Sequence, residues 1–182
     1  EPPTKPDPPP SDKKPDGPSG DKKPDAPPPG APMPTFAVSK MGDMLKEAGF
    51  DINNLKPMKS MKSAEKAKLM KSFAKSTGSV SKDGHDEGDF KKATANTQIA
   101  RHMWDEYVVP FKAAAGGPVY CDSCHQGKLE ILSKDKEAVK KWMDTNMVKP
   151  IERKDKKDHG CATCHGDTFE MKIFTKTWKV KK

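Results

Sequence analysis

The chain has little apolar material and few aromatic side chains. Of its 182 residues, 32% are hydrophobic and 7% are aromatic, while 33% are charged. A chain of this composition cannot build a large apolar core, so we expect a metal, a disulfide or a cofactor to supply part of the buried surface. No stretch approaches the roughly 18 consecutive apolar residues of a membrane-spanning helix. We therefore expect no bilayer crossing within this sequence.

Proline is scarce except at the start of the chain. Residues 1–35 contain fourteen of the eighteen prolines, and the pattern DKKPD occurs twice, at 12–16 and 21–25. Such a segment buries too little surface to offset the entropy of ordering it, so it should be disordered or extended. We interpret it as a tether to a membrane anchor, with an inert spacer as the alternative. Because the sequence begins at Glu1, we expect a processed mature form that has lost an export signal.

Beyond the tether, helical patterns predominate and strand patterns are weak, which predicts a mainly α protein. We divide the rest of the chain into a helical segment at 36–95 and a second domain at 96–182. The predicted helices are Val38–Ala48, Ser63–Thr77, Thr94–Val109 and Lys136–Val148, and a short extended piece is expected in MKIFTKTWKV near the end. The residues expected to face inward are Ala67, Met70, Phe73 and Ala74 in the second helix and Ile99, Ala100, Met103 and Tyr107 in the third.

Acidic residues are outnumbered, and the excess of positive charge lies outside the tether. The formal net charge is 34 − 26 = +8. Residues 1–35 carry five lysines and six acids, so residues 36–182 hold +9. This charge favours an acidic partner surface, although a solvated lysine surface would look the same. We expect no nucleic-acid partner, because no basic helix interleaved with aromatic residues is present.

Cysteine is rare, and all four cysteines lie in two identical frames. CDSCH runs from 121 to 125, and CATCH runs from 161 to 165. A structural zinc site would leave both histidines idle, and its cysteine pairs are usually about 15–20 residues apart, whereas 36 residues separate Cys124 from Cys161. A thiol–disulfide exchanger needs a strand–helix setting that neither pair has. The third chemistry, covalent c-type haem, has CxxCH as its attachment signature.

The two frames therefore predict two covalently bound haem c groups. The cysteine sulfurs would form thioethers with the porphyrin, and the histidine that closes each frame would bind the iron. The predicted thioether residues are Cys121, Cys124, Cys161 and Cys164, and the predicted proximal iron ligands are His125 and His165.

The sequence around the two frames repeats at a spacing of 40 residues. This shift superposes Met103 on Met143 and Pro110 on Pro150. The period predicts a duplicated helix–turn–CxxCH unit. Met103 and Met143 each lie 18 residues before a first cysteine, on the predicted helix, so we predict them as the sixth iron ligands. The rivals are His102 at the first haem and His159 and Met147 at the second.

The stretches LMKSFAKSTGSV, GDFKKATANTQIARHM and VYCDSCHQGK resemble the multihaem cytochrome c subunit of photosynthetic reaction centres and its non-photosynthetic relatives. The resemblance covers about residues 60–170. In that family helix–turn–CxxCH units repeat, and the helix supplies an axial methionine. It implies that Met103 and His125 bind one iron and that Met143 and His165 bind the other. It also implies electron delivery to a membrane-bound photosynthetic centre or a comparable complex.

The chain departs from the family in one informative place. Where family members often have a further CxxCH after Gly-x-Val, this chain has GSV followed by SKDGH, from Ser81 to His85. We interpret this as a haem site that has lost its cysteines, with an unrelated polar loop as the alternative. A former haem unit should keep its helix against the first haem unit, with Met70 and Phe73 facing inward.

Together these features predict a small, loop-rich dihaem c-type cytochrome on the periplasmic side of a bacterial inner membrane. It would relay single electrons between a membrane-bound photosynthetic or respiratory complex and a soluble or membrane partner. It would not be an enzyme, because filled axial positions leave no open iron site for a substrate. The alternative is a peroxidase-like dihaem enzyme with one open haem.

Overall fold

The computed structural model of the chain describes residues 32–86, 89, 92–166 and 172–181. Helices are the main secondary structure there, which confirms the predicted mainly α class. Residues 1–31 of the predicted tether lie outside the described residues. The helices are α1 (Gly42–Glu47), α2 (Ser63–Thr77), α3 (Ser81–Gly84), α4 (Ala95–Met103), α5 (Asp122–His125), α6 (Lys136–Met143) and α7 (Cys161–His165). A 3₁₀ turn covers Met58–Ser60.

Two of the predicted helices have the predicted bounds. The helix α2 begins at Ser63 and ends at Thr77, and Gly78 stops it with a left-handed φ of 65°. Glycine is suited to this place because it adopts positive φ without a Cβ clash. The helix α6 and the turn that continues it cover Lys136–Val148, as predicted.

Both α4 and α6 continue into a single π-helical turn. The turns are Trp104–Val108 and Asp144–Val148. In each one the amide of the residue after the turn donates to the carbonyl five residues earlier, from Val109 to Trp104 at 3.0 Å and from Lys149 to Asp144 at 3.0 Å. The predicted helix Thr94–Val109 is thus present, with a wider final turn. Single π turns inside helices occur frequently at functional sites.

The predicted inward faces of α2 and α4 agree with the structure only in part, although Phe73 does pack against the core. In α2 the buried residues are Leu69, Ser72 and Ser76, whereas Ala67 and Met70 are exposed. Hydrophobic periodicity misses this face because two of its three members are serines. In α4 and its π turn the fully buried residues are Trp104 and Val108. Of the four predicted residues, Ala100 is exposed, and Ile99, Met103 and Tyr107 are half-buried.

Two further predictions differ from the structure: the start of the first helix and the conformation near the end of the chain. The first helix begins at Gly42 rather than Val38, because Ser39 and Lys40 instead donate to the carboxylate of Asp122 at 2.6 and 2.8 Å. The segment expected to be extended near the end of the chain is a π-helical turn at Ile173–Thr177. Trp178 anchors it, since its indole N–H donates to Glu106 at 2.8 Å.

The main core joins the segment 36–95 to the segment 96–182. Its largest side chain, Trp104, is 1% exposed. The buried residues of this core are Met41, Leu45, Leu55, Met58, Met61, Leu69, Trp104, Val108 and Tyr120. Six of these nine come from residues 36–95. Residues 36–95 and residues 96–182 therefore fold against each other around this apolar cluster.

A two-stranded antiparallel sheet, which the weak strand patterns did not predict, links the two predicted repeats. Strand β1 (Phe111–Ala113) pairs with β2 (Ile151–Arg153), so that Phe111 faces Arg153 and Ala113 faces Ile151. These strands are 40 residues apart, as are the π turns and the CxxCH helices. We refer to residues 95–125 as the first segment and to residues 135–165 as the second segment.

The pairing of the two segments has local twofold symmetry. The amide of Lys154 donates to the carbonyl of Pro110 at 2.8 Å, and the amide of Ala114 donates to the carbonyl of Pro150 at 2.9 Å. The two bonds are equivalent, because residue 154 of the first lies 40 positions after residue 114 of the second, and residue 110 lies 40 positions before residue 150. Such reciprocal contacts characterise a twofold interface.

An extended strap at residues 32–40 crosses both segments. On the second segment, the indole N–H of Trp142 donates to the carbonyl of Pro34 at 2.6 Å, and Asn146 accepts from the amide of Phe36 at 2.8 Å. On the first segment, the amide of Ala37 donates to the carbonyl of Ser123 at 3.0 Å. The strap thus connects the proline-rich region directly to α5. Across the described ranges, no helix has the length and apolar character needed to cross a membrane.

Candidate haem-attachment sites

Each CxxCH frame forms one helical turn. The amide of His125 donates to the carbonyl of Cys121 at 2.9 Å in the first segment, and the amide of Gly166 donates to that of Ala162 at 2.9 Å in the second. Residues three and four apart lie on the same face of a helix. Both thiols and the imidazole of each frame therefore project to one side, where a single flat group can contact all three.

The first-segment cysteines are buried, protonated thiols. All four cysteines are free, and Cys121 and Cys124 are partly buried. Burial raises the pKa of both thiols, that of Cys124 to about 12, and the nearby carboxylate of Asp122 adds to the effect. Reactive exchange cysteines instead have lowered pKa values in electropositive surroundings. This environment does not favour thiol–disulfide exchange.

His125 is held in the form that binds a metal. Its Nδ1–H donates to the carbonyl of Lys128 at 2.8 Å, which leaves the lone pair of the neutral ring on Nε2. Burial lowers the pKa of the imidazole, against an opposing effect of backbone hydrogen bonds with Lys128 and Leu129. Metal-binding histidines typically make such a bond with their other ring nitrogen. The arrangement fits an iron ligand.

The second frame is more open than the first. Cys161 is exposed, and Cys164 and His165 are half-buried. Burial raises the pKa of the Cys164 thiol, while a hydrogen bond from the hydroxyl of Tyr107 lowers it. The second frame thus offers the same groups as the first, two thiols and one imidazole, but they are more exposed to solvent.

A polar cavity of about 500 Å³ lies beside the second frame. Its lining residues are Lys112, Glu152, Arg153, Lys156, Lys157, Asp158 and His159. Lys112 pairs with Glu152 at 2.6 Å, and Arg153 donates to Asp155. The remaining lysines, at 156 and 157, give the lining an excess of positive charge close to Cys161.

Met103 and Met143, the predicted sixth ligands, occupy equivalent places, as the last residue of α4 and of α6, and both are half-buried. Two of the rivals are engaged elsewhere. Nδ1 of His102 is 2.8 Å from Glu106 Oε1, and Nε2 of His159 donates to the carbonyl of Val148 at 3.0 Å.

The third rival, Met147, lies where the sequence did not place it. Its sulfur is 3.6 Å from the sulfur of Cys124 in the first segment, whereas it was considered at the second haem. Tyr107, which was predicted only as a packing residue, has its pKa raised by burial and by the nearby Cys164 of the second segment. The 40-residue repeat places these two residues in register, and this is the signal that sequence reasoning could have used.

The segment Ser81–His85 adopts the same turn as the CxxCH frames. The amide of His85 donates to the carbonyl of Ser81 at 3.0 Å, as that of His125 does to Cys121. The preceding helix α2 packs beside the first frame, where the amide of Gly127 donates to the carbonyl of Ser76 at 2.8 Å. Phe73 faces inward, 5.5 Å from the ring of Trp104, but the prediction that Met70 does so is wrong.

The four cysteines are not gathered into one metal site. In the part of the chain that the structure describes, no three His, Cys, Asp or Glu side chains are grouped so that they could hold a metal ion. A haem iron bound by one histidine and one methionine needs no such group.

Comparisons of the chain with models of known protein families, with curated proteins and with solved structures find no match.

Proposed function

We propose that this protein is a dihaem c-type cytochrome that transfers single electrons. The observation that carries the proposal is the shared geometry of the two CxxCH frames, each with two free thiols and a histidine on one face of a helical turn. The hydrogen bond from Nδ1 of His125 to the Lys128 carbonyl supports the ligand role of that histidine. When bound, each haem supplies one-electron exchange between ferric and ferrous iron.

In this proposal the two segments are duplicated haem-binding units. Cys121, Cys124, Cys161 and Cys164 hold the haems, and His125 and His165 bind the irons. The repeated order of helix, π turn, strand and CxxCH turn supports the duplication. Met103 and Met143 are the proposed sixth ligands, on the strength of the resemblance and of their equivalent places directly before the π turns.

The proposed partners are a membrane-bound photosynthetic or respiratory complex and a second electron carrier, on the periplasmic side of a bacterial inner membrane. This part of the proposal rests on the resemblance to reaction-centre cytochromes and on the proline-rich segment as a tether. The formal charge of +8 supports an acidic docking face on the partner.

Mass spectrometry of the intact, denatured chain tests the proposal, because thioether bonds survive denaturation. The chain produced where c-type cytochromes mature should carry two haem masses. Replacing Cys161 and Cys164 with alanine should leave one haem, and so should replacing Cys121 and Cys124. A purified natural chain with the mass of the bare polypeptide would end the cytochrome proposal.

The alternative function is a peroxidase-like enzyme with one open haem, and the exposure of Cys161 favours the second frame as that site. Carbon monoxide separates the two functions, since it binds ferrous haem only at an open or displaceable position. An electron carrier with both positions filled should show no change in its reduced spectrum. A shift that saturates at one carbon monoxide per chain would favour the enzyme.

A further inference from the structure

In each segment, the long helix and its π turn carry a pair of side chains that bind a piece of chain from outside the repeat. The first pair is His102 and Glu106, and the second pair is Trp142 and Asn146. Corresponding members are 40 residues apart, so the two pairs occupy equivalent places. Residues four apart are neighbours on a helix surface, and each pair therefore offers one small docking face.

The first pair binds residues 172–181, which we call the closing segment. The carboxylate of Glu106 accepts a hydrogen bond from the indole N–H of Trp178 at 2.8 Å. The imidazole of His102 stacks on the same indole, with ring centroids 4.9 Å apart and an angle of 4° between the ring planes. Nδ1 of His102 is 2.8 Å from the other carboxylate oxygen of Glu106. The three side chains thus fix one another.

Further contacts keep the closing segment on α4. Gln98, one turn before His102, donates to the carbonyl of Lys181 at 3.1 Å and accepts from its amide at 3.2 Å. Trp178 is 6% exposed, and the ring of Phe174 lies 5.4 Å from it. The closing segment is therefore a packed element of the first segment's helix face.

The second pair binds the strap. The side-chain oxygen of Asn146 accepts from the amide of Phe36 at 2.8 Å, and the indole N–H of Trp142 donates to the carbonyl of Pro34 at 2.6 Å. The side-chain amide of Asn146 also donates to the carbonyl of Trp142 at 3.2 Å. Both members of this pair are buried. The two pairs thus bind opposite ends of the described chain at equivalent places, and we call each set of contacts a lock.

The locks flank the methionines proposed as sixth iron ligands. Met103 directly follows His102, and Met143 directly follows Trp142, while the other member of each pair comes three residues after the methionine. Each methionine is the last residue of its α-helix, where the π turn begins. Contacts on both sides of a residue limit how far its backbone can turn. Partners behind a metal ligand orient that ligand in this way.

We propose that the closing segment and the strap are equivalent positioning elements, the first holding Met103 as a ligand of the first haem and the second holding Met143 as a ligand of the second. This inference rests on the proposed cytochrome function and its methionine ligands. Each haem then depends on a different end of the described chain. Opening one lock should release one methionine and leave the other haem with both of its ligands.

The experiment needs parent proteins in which only one haem has a methionine ligand. Met143→His leaves methionine on the first haem alone, and Met103→His leaves it on the second haem alone. Each parent keeps both haems and should show the sulfur-to-iron charge-transfer band of one of them. The band therefore reports on one lock at a time.

The two tryptophans provide a matched pair of substitutions in the full chain. Trp178→Phe removes the donor to Glu106, and Trp142→Phe removes the donor to Pro34. Each substitution keeps an aromatic ring in place. Each therefore weakens one lock by the loss of a single N–H group.

The expected result is a crossed pattern. In the Met143→His parent, Trp178→Phe should abolish the band on warming at a temperature where the circular dichroism of the helices is unchanged. The reduced iron should then bind carbon monoxide. Trp142→Phe should leave the band of this parent intact until the fold melts. In the Met103→His parent the two substitutions should exchange their effects.

Gly49→Ala is the control for general loss of stability, because Gly49 belongs to neither lock. In both parents it should cause the band and the helices to be lost together. If a tryptophan variant does not fold, Glu106→Ala and Asn146→Ala remove the acceptors of the same locks and should give the same crossed pattern.

The inference is overturned if either tryptophan substitution weakens the bands of both parents equally, or if the pattern is reversed. It is also overturned if the band is lost only when the fold melts, as in Gly49→Ala. Failure of the proposed function gives a different result, which is seen before either tryptophan is changed. The natural chain would then have the mass of the bare polypeptide, or a spectrum that neither methionine substitution changes, and the inference would fall with it.

Discussion

At the residue scale, the structure gives each CxxCH frame a different environment. Cys121 and Cys124 of the first CxxCH turn are partly buried, while Cys161 of the second is exposed. Solvent exposure and local polarity set the potential of an attached haem as strongly as its ligands do. Two frames of the same sequence pattern therefore need not have the same redox behaviour.

The proposed methionine ligands lead to a prediction for single substitutions. Methionine as sixth ligand raises the reduction potential relative to histidine. Met103→His or Met143→His should lower the potential of one haem and remove its share of the sulfur-to-iron charge-transfer band at the red end of the visible spectrum. Absorption spectra of the oxidised protein and a redox titration measure both effects.

Leucine variants at Met103 and Met143 serve as the matched controls, because they remove the sulfur without supplying a new ligand. Each leucine variant should lose that haem's share of the band as well, and it should open that iron to carbon monoxide. If none of the four substitutions reduces the band, the assigned methionines are not the ligands.

A buried hydroxyl pair gives a prediction for stability. The hydroxyl of Ser72 donates to the carbonyl of Leu69 at 2.8 Å. It accepts a hydrogen bond from the hydroxyl of Tyr120 at 2.7 Å. Ser72→Ala leaves the Tyr120 hydroxyl buried without this partner, which costs about 1–3 kcal/mol of the free energy of unfolding. Urea denaturation of the variant measures the loss.

The double variant Ser72→Ala with Tyr120→Phe is the control for that pair. Removing both hydroxyls should recover part of the loss, because no donor is then left without a partner. Additive losses in the two single variants would show that the hydrogen bond contributes nothing beyond packing.

At the scale of elements, the end of α2 is fitted closely to the first CxxCH turn. Gly78 has a φ of 65°, and a Cβ there would collide with the carbonyl of Gly127. The backbone of Gly127 is tied to Ser76 by a hydrogen bond of 2.8 Å, so it cannot easily move aside. Because Gly78 has no side chain, the end of α2 can pack directly against the backbone that follows the first CxxCH turn.

Gly78→Ala should therefore destabilise the fold by more than the cost of the backbone conformation alone. Gly49→Ala is the matched control, since Gly49 has a φ of 88° with open space around its missing Cβ. A left-handed alanine costs roughly 1–2 kcal/mol, so Gly49→Ala should lose about that much in urea denaturation. Equal losses at the two positions would show that the contact with Gly127 is unimportant.

The turn at Ser81–His85 leads to a prediction about ancestry. It has the helical bond of the CxxCH frames, from the amide of His85 to the carbonyl of Ser81. The variant Ser81→Cys with Gly84→Cys completes a third CxxCH frame, and part of the product should carry a third covalent haem by intact mass. Ser81→Cys with Gly84→Ser is the control and should retain two. A folded double-cysteine variant with only two haems would count against a former haem site.

At the scale of the whole molecule, charge is expected to control docking. In the proposed dihaem form, two haems would bring four propionates, so 8 − 4 would leave a formal charge of +4 with ferrous iron. Exposed lysines at 172, 176 and 179 lie on the last described segment. Exposed charges attract an acidic surface over a range of about 10 Å at 0.1 M salt, so the attraction should fall with ionic strength.

A carboxylate-coated electrode is a suitable probe for this attraction. The rate of electron exchange should decrease as salt rises, and changing Lys172, Lys176 and Lys179 to glutamate should weaken it at low salt. The control is the same lysine-to-glutamate substitution at Lys62, Lys68 and Lys71, which are exposed on and beside α2. This control variant has the same net charge. Equal effects of the two sets would mean that net charge, rather than the end of the chain, directs docking.

The sequence by itself determined the local features of this protein. The bounds of α2 and the end of the π turn that continues α6 followed from helical periodicity, from Gly78 and from Pro150, because helix ends depend on neighbouring residues. The two CxxCH frames and their spacing were also visible in the sequence, and from them came the cytochrome hypothesis that remains to be tested.

Only the tertiary structure decided which parts meet. The pairing of β1 with β2, the burial of Ser72 and Ser76, and the crossing of Met147 to Cys124 all join residues that are distant in sequence or hidden from a hydrophobic pattern. Such contacts depend on how two segments fit together in space, and a repeat of 40 residues fits equally well with units packed on themselves or on each other. Local propensity carries no information on that choice, so the sequence did not show that Met147 lies beside Cys124.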